Sequence, residues 1–286
     1  MSDSYTGVKV LEVEKDIIDA VYKDGEIEIW DKRLALYENM YVVLKDSFGS
    51  SSSALCRVKG GKLVVLPKDL MASGISPKNK EQRMALDALL DDNVKVVALT
   101  GRAGTGKSLL AIAAALEKKE KKIYDRIILT KPQSQVTKYE LGILPGTLEE
   151  KINPFFESFI CSFEFIFGPS GRRVESALEH YNVVLTPMQL IRGMSWHNSI
   201  IIADEVQVLT YHDMVSLGTR VAEGSKLILL GDLAQRDEKI AKDKTGLFKF
   251  VNSDLAKNSK IVSSIELIKS ERSEVAELFA DVFEAF

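Results

Sequence analysis

The chain has 286 residues, 45% apolar and 28% charged, enough for one large domain with a small one beside it and too balanced for a disordered or fibrous protein. A formal net charge of −3 excludes a uniformly basic nucleic-acid coat but leaves room for a local basic channel. Two distant cysteines, Cys56 and Cys161, and three histidines without ligand spacing, His180, His197 and His212, argue against a disulfide frame or a protein-bound zinc. With no leader-like N-terminus and no run of eighteen apolar residues, a soluble, cytoplasmic chain with no membrane partner is expected.

Residues 1–75 have a texture of their own. Short β-rich runs at 8–13, 26–30, 41–44, 54–58 and 62–66 are separated by Asp24-Gly25, by 49–53 and by Gly60-Gly61, all turn signals. The pattern predicts a small β-rich N-terminal module, barrel-like in outline, with a hairpin at Lys59-Gly60-Gly61-Lys62 and a mobile loop at 48–53. No residue there carries a catalytic pattern. Packing or oligomerisation is its simplest role, and a nucleic-acid-binding face is the alternative.

Residues 67–77 read as a linker, and 76–286 as a second domain. It begins with Asn79 and Gln82 in an N-x-x-Q pattern, followed by helical spacing at 84–90. A glutamine just upstream of a phosphate loop can read an adenine edge, because an amide both donates and accepts; alone, it is a solvated helix residue. The apolar run 94–99 predicts a buried strand. After it come Gly101, Arg102, Ala103, Gly104, Thr105, Gly106, Lys107 and Ser108, a full match to G-x-x-x-x-G-K-[ST], then Leu109 and a strong helix former through 116. Such a loop turns its backbone N–H groups onto an anion at a helix N-terminus. Lys107 is placed to reach the β- and γ-phosphates and Ser108 to bind Mg2+. The lysine-rich stretch 118–122 reads as the solvated end of that helix.

A second buried strand at 126–130 ends at Lys131 and Gln133, candidate contacts to a nucleic-acid backbone at the strand's carboxyl end. The aromatic stretch 141–167 has Phe155, Phe159 and Phe163 at helical spacing, which predicts a buried stripe rather than a base-stacking platform. The loop 142–147 is a candidate contact to a nucleic-acid strand or a neighbouring subunit. Strands are expected at 181–186 and 198–203, the second delivering Asp204 and Glu205. Here Asp204 is expected to hold the Mg2+ shell, and Glu205 to orient or deprotonate the attacking water. A strand at 226–230 leads to Asp232 and to Gln235, which can sense the γ-phosphate. A last strand at 260–265 precedes Arg272, either a phosphoryl-stabilising arginine or an exposed residue at the start of an amphipathic helix over 274–286.

In this order the motifs resemble the core of superfamily-1 helicases. More closely, residues 76–286 resemble the PhoH family of P-loop ATPases. The resemblance is carried by Asn79 and Gln82, by 100–110 (TGRAGTGKSLL), by Thr130-Lys131-Pro132 and by 141–151 (LGILPGTLEEK). It continues in Arg192-Gly193, 203–207 (ADEVQ), 231–235 (GDLAQ) and 270–273 (SERS). It implies an α/β, RecA-like P-loop NTPase core with a mostly parallel sheet, ATP and Mg2+ as ligands, and ATP hydrolysis. It also implies helicase-type action on single-stranded RNA, favoured over DNA, by a ring-shaped, hexameric homo-oligomer. Arg272 becomes the leading arginine finger and Arg192 the second candidate. Val206, Arg102 and Ser108 depart from the commoner alanine, proline and threonine without removing a catalytic group. The N-terminal module resembles the segment that joins nuclease to ATPase in PIN-PhoH proteins. No acidic nuclease domain accompanies it here, so ribonuclease activity is not expected. With a single RecA-like core, stepping along a strand would need subunits in a ring. The rival expectation is an ATP-switched regulator or scaffold that separates no strands.

Overall fold

A computed structural model describes residues 4–132, 156–233 and 245–271, together with Val275, Leu278 and Val282. The N-terminal module holds five strands: β1 (Val8–Val13), β2 (Glu26–Glu28), β3 (Tyr41–Asp46), β4 (Ser53–Lys59) and β5 (Lys62–Val65). Their order, β1-β3-β4-β5-β2, is that of an open sheet, so the barrel-like expectation is corrected. The physical reason is an unforeseen helix, α1 (Lys15–Asp24), which buries Ile18 and Val21 and ends at Gly25 in the left-handed region, φ 79°. A helix covering one sheet face hides that face without closing the sheet on itself. The β4–β5 hairpin turns at Gly60 and Gly61 as expected, both at positive φ, with Lys59 opposite Lys62. Asp46 organises the 48–53 loop by accepting from the Phe48 and Ser50 N–H groups.

The second domain is built on a six-stranded sheet. Its strands are β6 (Val96–Gly101), β7 (Arg126–Lys131), β8 (Val183–Pro187), β9 (Ser199–Ala203), β10 (Lys226–Gly231) and β11 (Val262–Leu267). The order is β11-β6-β10-β9-β7-β8, and every neighbouring pair is parallel. Parallel strands covered on both faces need continuous apolar runs, which is what Ile200, Ile201 and Ile202 supply, all fully buried. One face carries α2 (Lys80–Leu90), α3 (Lys107–Glu120), α4 (Glu157–Phe167) and α5 (Gly171–His180); the other carries α6 (Tyr211–Gly218) and α7 (Gly246–Asn252). The alanine run 113–115 in α3 is fully buried and lets that helix lie close on the sheet centre. This is a RecA-like core, with β10 inserted between the phosphate-loop strand and the acidic strand. Phe159 and Phe163 form the expected buried stripe of α4. Lys118 is not solvated as expected: it is buried, with Asp92 at 2.7 Å.

The two sheets are joined by a polar seam. Arg57 of β4 lies 3.0 Å from both Asp87 and Asp91 at the end of α2, and donates to Asn39 at 2.7 Å. Asn39 in turn donates to the Lys260 and Val262 carbonyls, and Tyr41 donates to Asp87. Beneath this seam the Lys226 ammonium donates to the Ala88, Leu89 and Asp91 carbonyls, closing the C-terminus of α2. Stretch 67–77 is packed rather than loose: Leu70, Ala72 and Ile75 sit against the core and Ser73 donates to the Ala113 carbonyl. Helix α2 therefore touches the N-terminal module at one end and, through Gln82, the phosphate loop at the other, where Asn79 also holds Glu271.

Candidate nucleotide-binding site

The loop between β6 and α3 sits at the carboxyl edge of the parallel sheet, where ligands bind in folds of this kind. Gly101 is dictated by packing: its φ is 139°, and a Cβ there would lie 2.1 Å from the Leu267 carbonyl oxygen of β11. Gly106 caps α3 at φ 91°, and a Cβ there would meet the Gln82 amide nitrogen at 2.9 Å. Thr105 is fully buried and donates to the Arg102 carbonyl. The Lys107 ammonium donates to the Gly101 and Arg102 carbonyls, so the cation lies over its own loop at the mouth of the helix.

Across the cavity, β9 ends at Asp204 and Glu205. Asp204 is 6% exposed, and its pKa is raised above the usual value by burial and by the neighbouring Glu205 charge, against the pull of Lys131 and Lys107. Glu205 has φ 56°, an uncommon conformation for a residue with a side chain, which starts a short turn, Val206–Val208. Gln207 in that turn is buried. Its Nε2 donates to Glu205 Oε2 at 2.6 Å, while its Oε1 accepts the Asp232 N–H at 3.1 Å. Gln207 thus ties the acid on β9 to the end of β10. Lys131 lies 3.9 Å from Glu205 Oε1 and 3.4 Å from Ser158 Oγ.

These groups enclose a cavity of about 320 Å3 lined by Ala103, Gly104, Gly106, Lys107, Ser108 and Leu109 on one side and by Asp204, Glu205, Gly231 and Asp232 on the other, with Ser158 and Ser162 of α4 above. Phosphate loop and acid pair are therefore brought together as expected. Arg102 is exposed and does not line the cavity; Lys131 borders it through Glu205. Gln82 braces the loop, donating to the Thr105 carbonyl at 3.0 Å and accepting the Lys78 N–H at 2.9 Å. Gln133, Gln235 and Arg272 lie outside the described residues, as does the 142–147 loop. Just before Arg272, the Glu271 N–H donates to the Gly104 carbonyl, and its carboxylate accepts from Asn79, so the segment leading to that arginine touches the loop. Arg192 is exposed in the turn after β8.

Sequence reasoning missed Gln207 as a bridge and Glu271 as an anchor. The first was legible only as the last letter of D-E-x-Q, the second only as an acid beside the arginine. The donor set suits a hard cation: a hydroxyl at Ser108 and a buried carboxylate at Asp204. Among the described residues no three acids, histidines or cysteines cluster, so such a cation would draw its other ligands from phosphate and water.

A sequence model of the family described as PhoH-like protein matches residues 74–284. The chain belongs to this family. Protein PhoH2 of Bacillus subtilis is 35% identical over 98% of this chain, and Protein PhoH2 of Mycolicibacterium smegmatis 32% identical over 98%. The chain spans 64% and 63% of those relatives' lengths. A PhoH-like protein of Mycobacterium tuberculosis is 34% identical over 57% of the chain and 45% of its own length. Among solved structures, the Pif1 helicase from Candida albicans aligns with TM-score 0.36 at 18% identity, over 73% of this chain and 44% of that one. The Sulfolobus solfataricus SWI2/SNF2 ATPase core aligns with TM-score 0.37 at 17% identity, over 68% and 40%. For this PhoH-like chain the RecA-like reading rests on strand order and on the phosphate loop, not on those overlaps.

Proposed function

We propose that the chain binds and hydrolyses ATP with Mg2+ and acts as a homo-oligomeric motor on single-stranded nucleic acid, RNA in preference to DNA, in the cytoplasm. The observation that carries the ATPase is the meeting of Lys107, Ser108, Asp204 and Glu205 around one cavity at the carboxyl edge of the sheet. Lys107 exchanges its loop carbonyls for the β- and γ-phosphates. Ser108 and Asp204 would hold the Mg2+ shell, and Gln82, which keeps the loop in shape, is the residue proposed to read the adenine edge. When bound, Mg2+ offsets the charge of the phosphate oxygens. Glu205 takes a proton from the attacking water and is held for that task by Gln207. Gln235 and Arg272 complete the set as γ-phosphate sensor and arginine finger, with Arg192 the alternative finger; these roles rest on the family resemblance. The nucleic-acid reading rests on that resemblance and on Lys131 and Gln133 at a strand end. No helix among the described residues is long and apolar enough to cross a membrane.

The test is Glu205→Gln. The variant should bind ATP as the parent does and lose nearly all turnover. Parental turnover would remove Glu205 from the role. Stimulation of ATPase rate by single-stranded RNA separates the motor from an ATP-switched scaffold, which the net charge of −3 slightly favours.

A further inference from the structure

A second cavity, about 770 Å3, lies on the face of the core sheet opposite α2 and α3. It is a groove between α6, α7 and the amino ends of β6 and β10. Met214 and Phe250 lie in its wall, while Tyr211, Val215 and Ile261 line it and are about half exposed. Lys95 and Lys249 line it too, against one acid, Glu223. Nothing in the ATPase reading uses this surface, and apolar residues gathered this densely mark an interaction site.

The chain carries a matching surface elsewhere. Val275, Leu278 and Val282 are helical, and spacings of three and four residues place them on one stripe. They are 67%, 60% and 45% exposed, so the chain's own fold leaves the stripe uncovered. Around them the sequence carries Glu274, Glu277, Asp281 and Glu284, and no lysine or arginine from 273 to 286. An apolar stripe within an acidic stretch of sequence complements an apolar groove with a net excess of lysine.

We propose that this groove receives, from a second copy of the chain, the stretch that carries Val275, Leu278 and Val282. The proposal rests on the self-association part of the proposed function and is independent of ATP binding. Val275, Leu278 and Val282 do not line the groove of their own copy. Glu271 is held to Gly104 and Asn79 on the α2 and α3 face, so the chain leaves β11 on the far side of the sheet. The way round the β11 edge is occupied by residues 5–7: the Tyr5 N–H donates to Asn252 Oδ1 of α7, and the Thr6 carbonyl accepts the Glu266 N–H of β11. A contact between unlike surfaces of two copies is heterologous, and such contacts propagate until they close into a ring.

The experiment uses the full chain. Mass in solution is measured for the parent, for Val215→Glu in the groove and for Leu278→Glu on the stripe, with binding of a fluorescent ATP analogue as a parallel readout. Both variants should fall to smaller species while analogue affinity stays within about twofold. A bismaleimide cross-link gives the second readout: chains carrying Val215→Cys are mixed with chains carrying Leu278→Cys, both in a Cys161→Ser background. A product of two chains should form in the mixture and in neither component alone. The proposal is overturned by parental assembly in both glutamate variants, by a parent that is monomeric at every concentration, or by the absence of the two-chain product. Loss of analogue binding in the parent would instead defeat the ATPase reading. If Val215→Glu does not fold, Leu278→Glu, at an exposed position, and the cross-link decide.

Discussion

Gln207 offers the sharpest test of how the site is held. Replacing it with leucine removes the donor to Glu205 Oε2 and the acceptor of the buried Asp232 N–H. A hydrogen bond to a charged group contributes about 1.5–3 kcal/mol, and a buried donor stripped of its partner costs about 1–3 kcal/mol. The second loss falls on the whole fold, and a chain of this size should melt lower by about 2–4 °C for each kcal/mol. With Glu205 in its proposed role the first falls on the catalytic step, because Glu205 is 43% exposed at its side chain and without Gln207 can turn toward solvent. If most of that bond is realised in the transition state, kcat should fall about 10- to 100-fold with KM for ATP little changed. Gln207→Glu separates positioning from packing. It keeps the shape but sets two carboxylates side by side, so one of them retains a proton more tightly. Its activity should recover in part as pH falls and the shared proton restores the donor. Steady-state ADP release between pH 5.5 and 8.5, alongside thermal melting, reads both effects. If Gln207→Leu melts lower yet keeps parental kcat, or Gln207→Glu shows a parental pH profile, the residue only packs and the positioning argument fails.

Two further outcomes follow from the same geometry. Arg57→Met leaves Asp87, Asp91 and Asn39 without the guanidinium they share, and breaking a buried ion pair from one side costs about 3–5 kcal/mol. Urea unfolding should show that loss, and a change under about 1 kcal/mol would mean the seam does not hold the module to the core. Asp204 has a raised pKa, so the folded chain binds its proton more readily than the unfolded one. The stability this group contributes is present below its unfolded value of 3.8 and is lost as pH rises through the folded value. In the proposed site Mg2+ would need the carboxylate, so Mg-dependent ATP affinity should move the opposite way, weakening as pH falls through that same folded value. Calorimetric titration at several pH values checks this, and Asp204→Asn, which has no proton to lose, should flatten the dependence. A parent whose Mg-dependent affinity varies with pH no more than that of Asp204→Asn would sever Asp204 from the metal.

The core was largely legible in the sequence. Strands β6, β7, β9, β10 and β11 appear within one or two residues of where their apolar runs placed them, because strands buried on both faces must be apolar throughout. Helix α1 was not legible. It buries only two residues, Ile18 and Val21, and sits among runs of β texture that masked its spacing. Lys118 read as solvated because five consecutive charged residues look like a helix end. Its burial depends on Asp92, which lies 26 positions earlier and whose nearness nothing local announces.

By itself the sequence determined the phosphate loop and the pair of acids at a strand end. Both are contiguous, and their chemistry follows from backbone freedom, side-chain type and position on one strand. The tertiary structure alone decided what holds them. Gln82 became a brace of the loop, Gln207 a bridge between β9 and β10, and Asn79 a partner of Glu271 across 192 positions. Such contacts exist only once β10 has slipped between β6 and β9 and α2 has been pinned at both ends, since a hydrogen bond requires neighbours in space and spacing along a chain names neighbours only within a few residues.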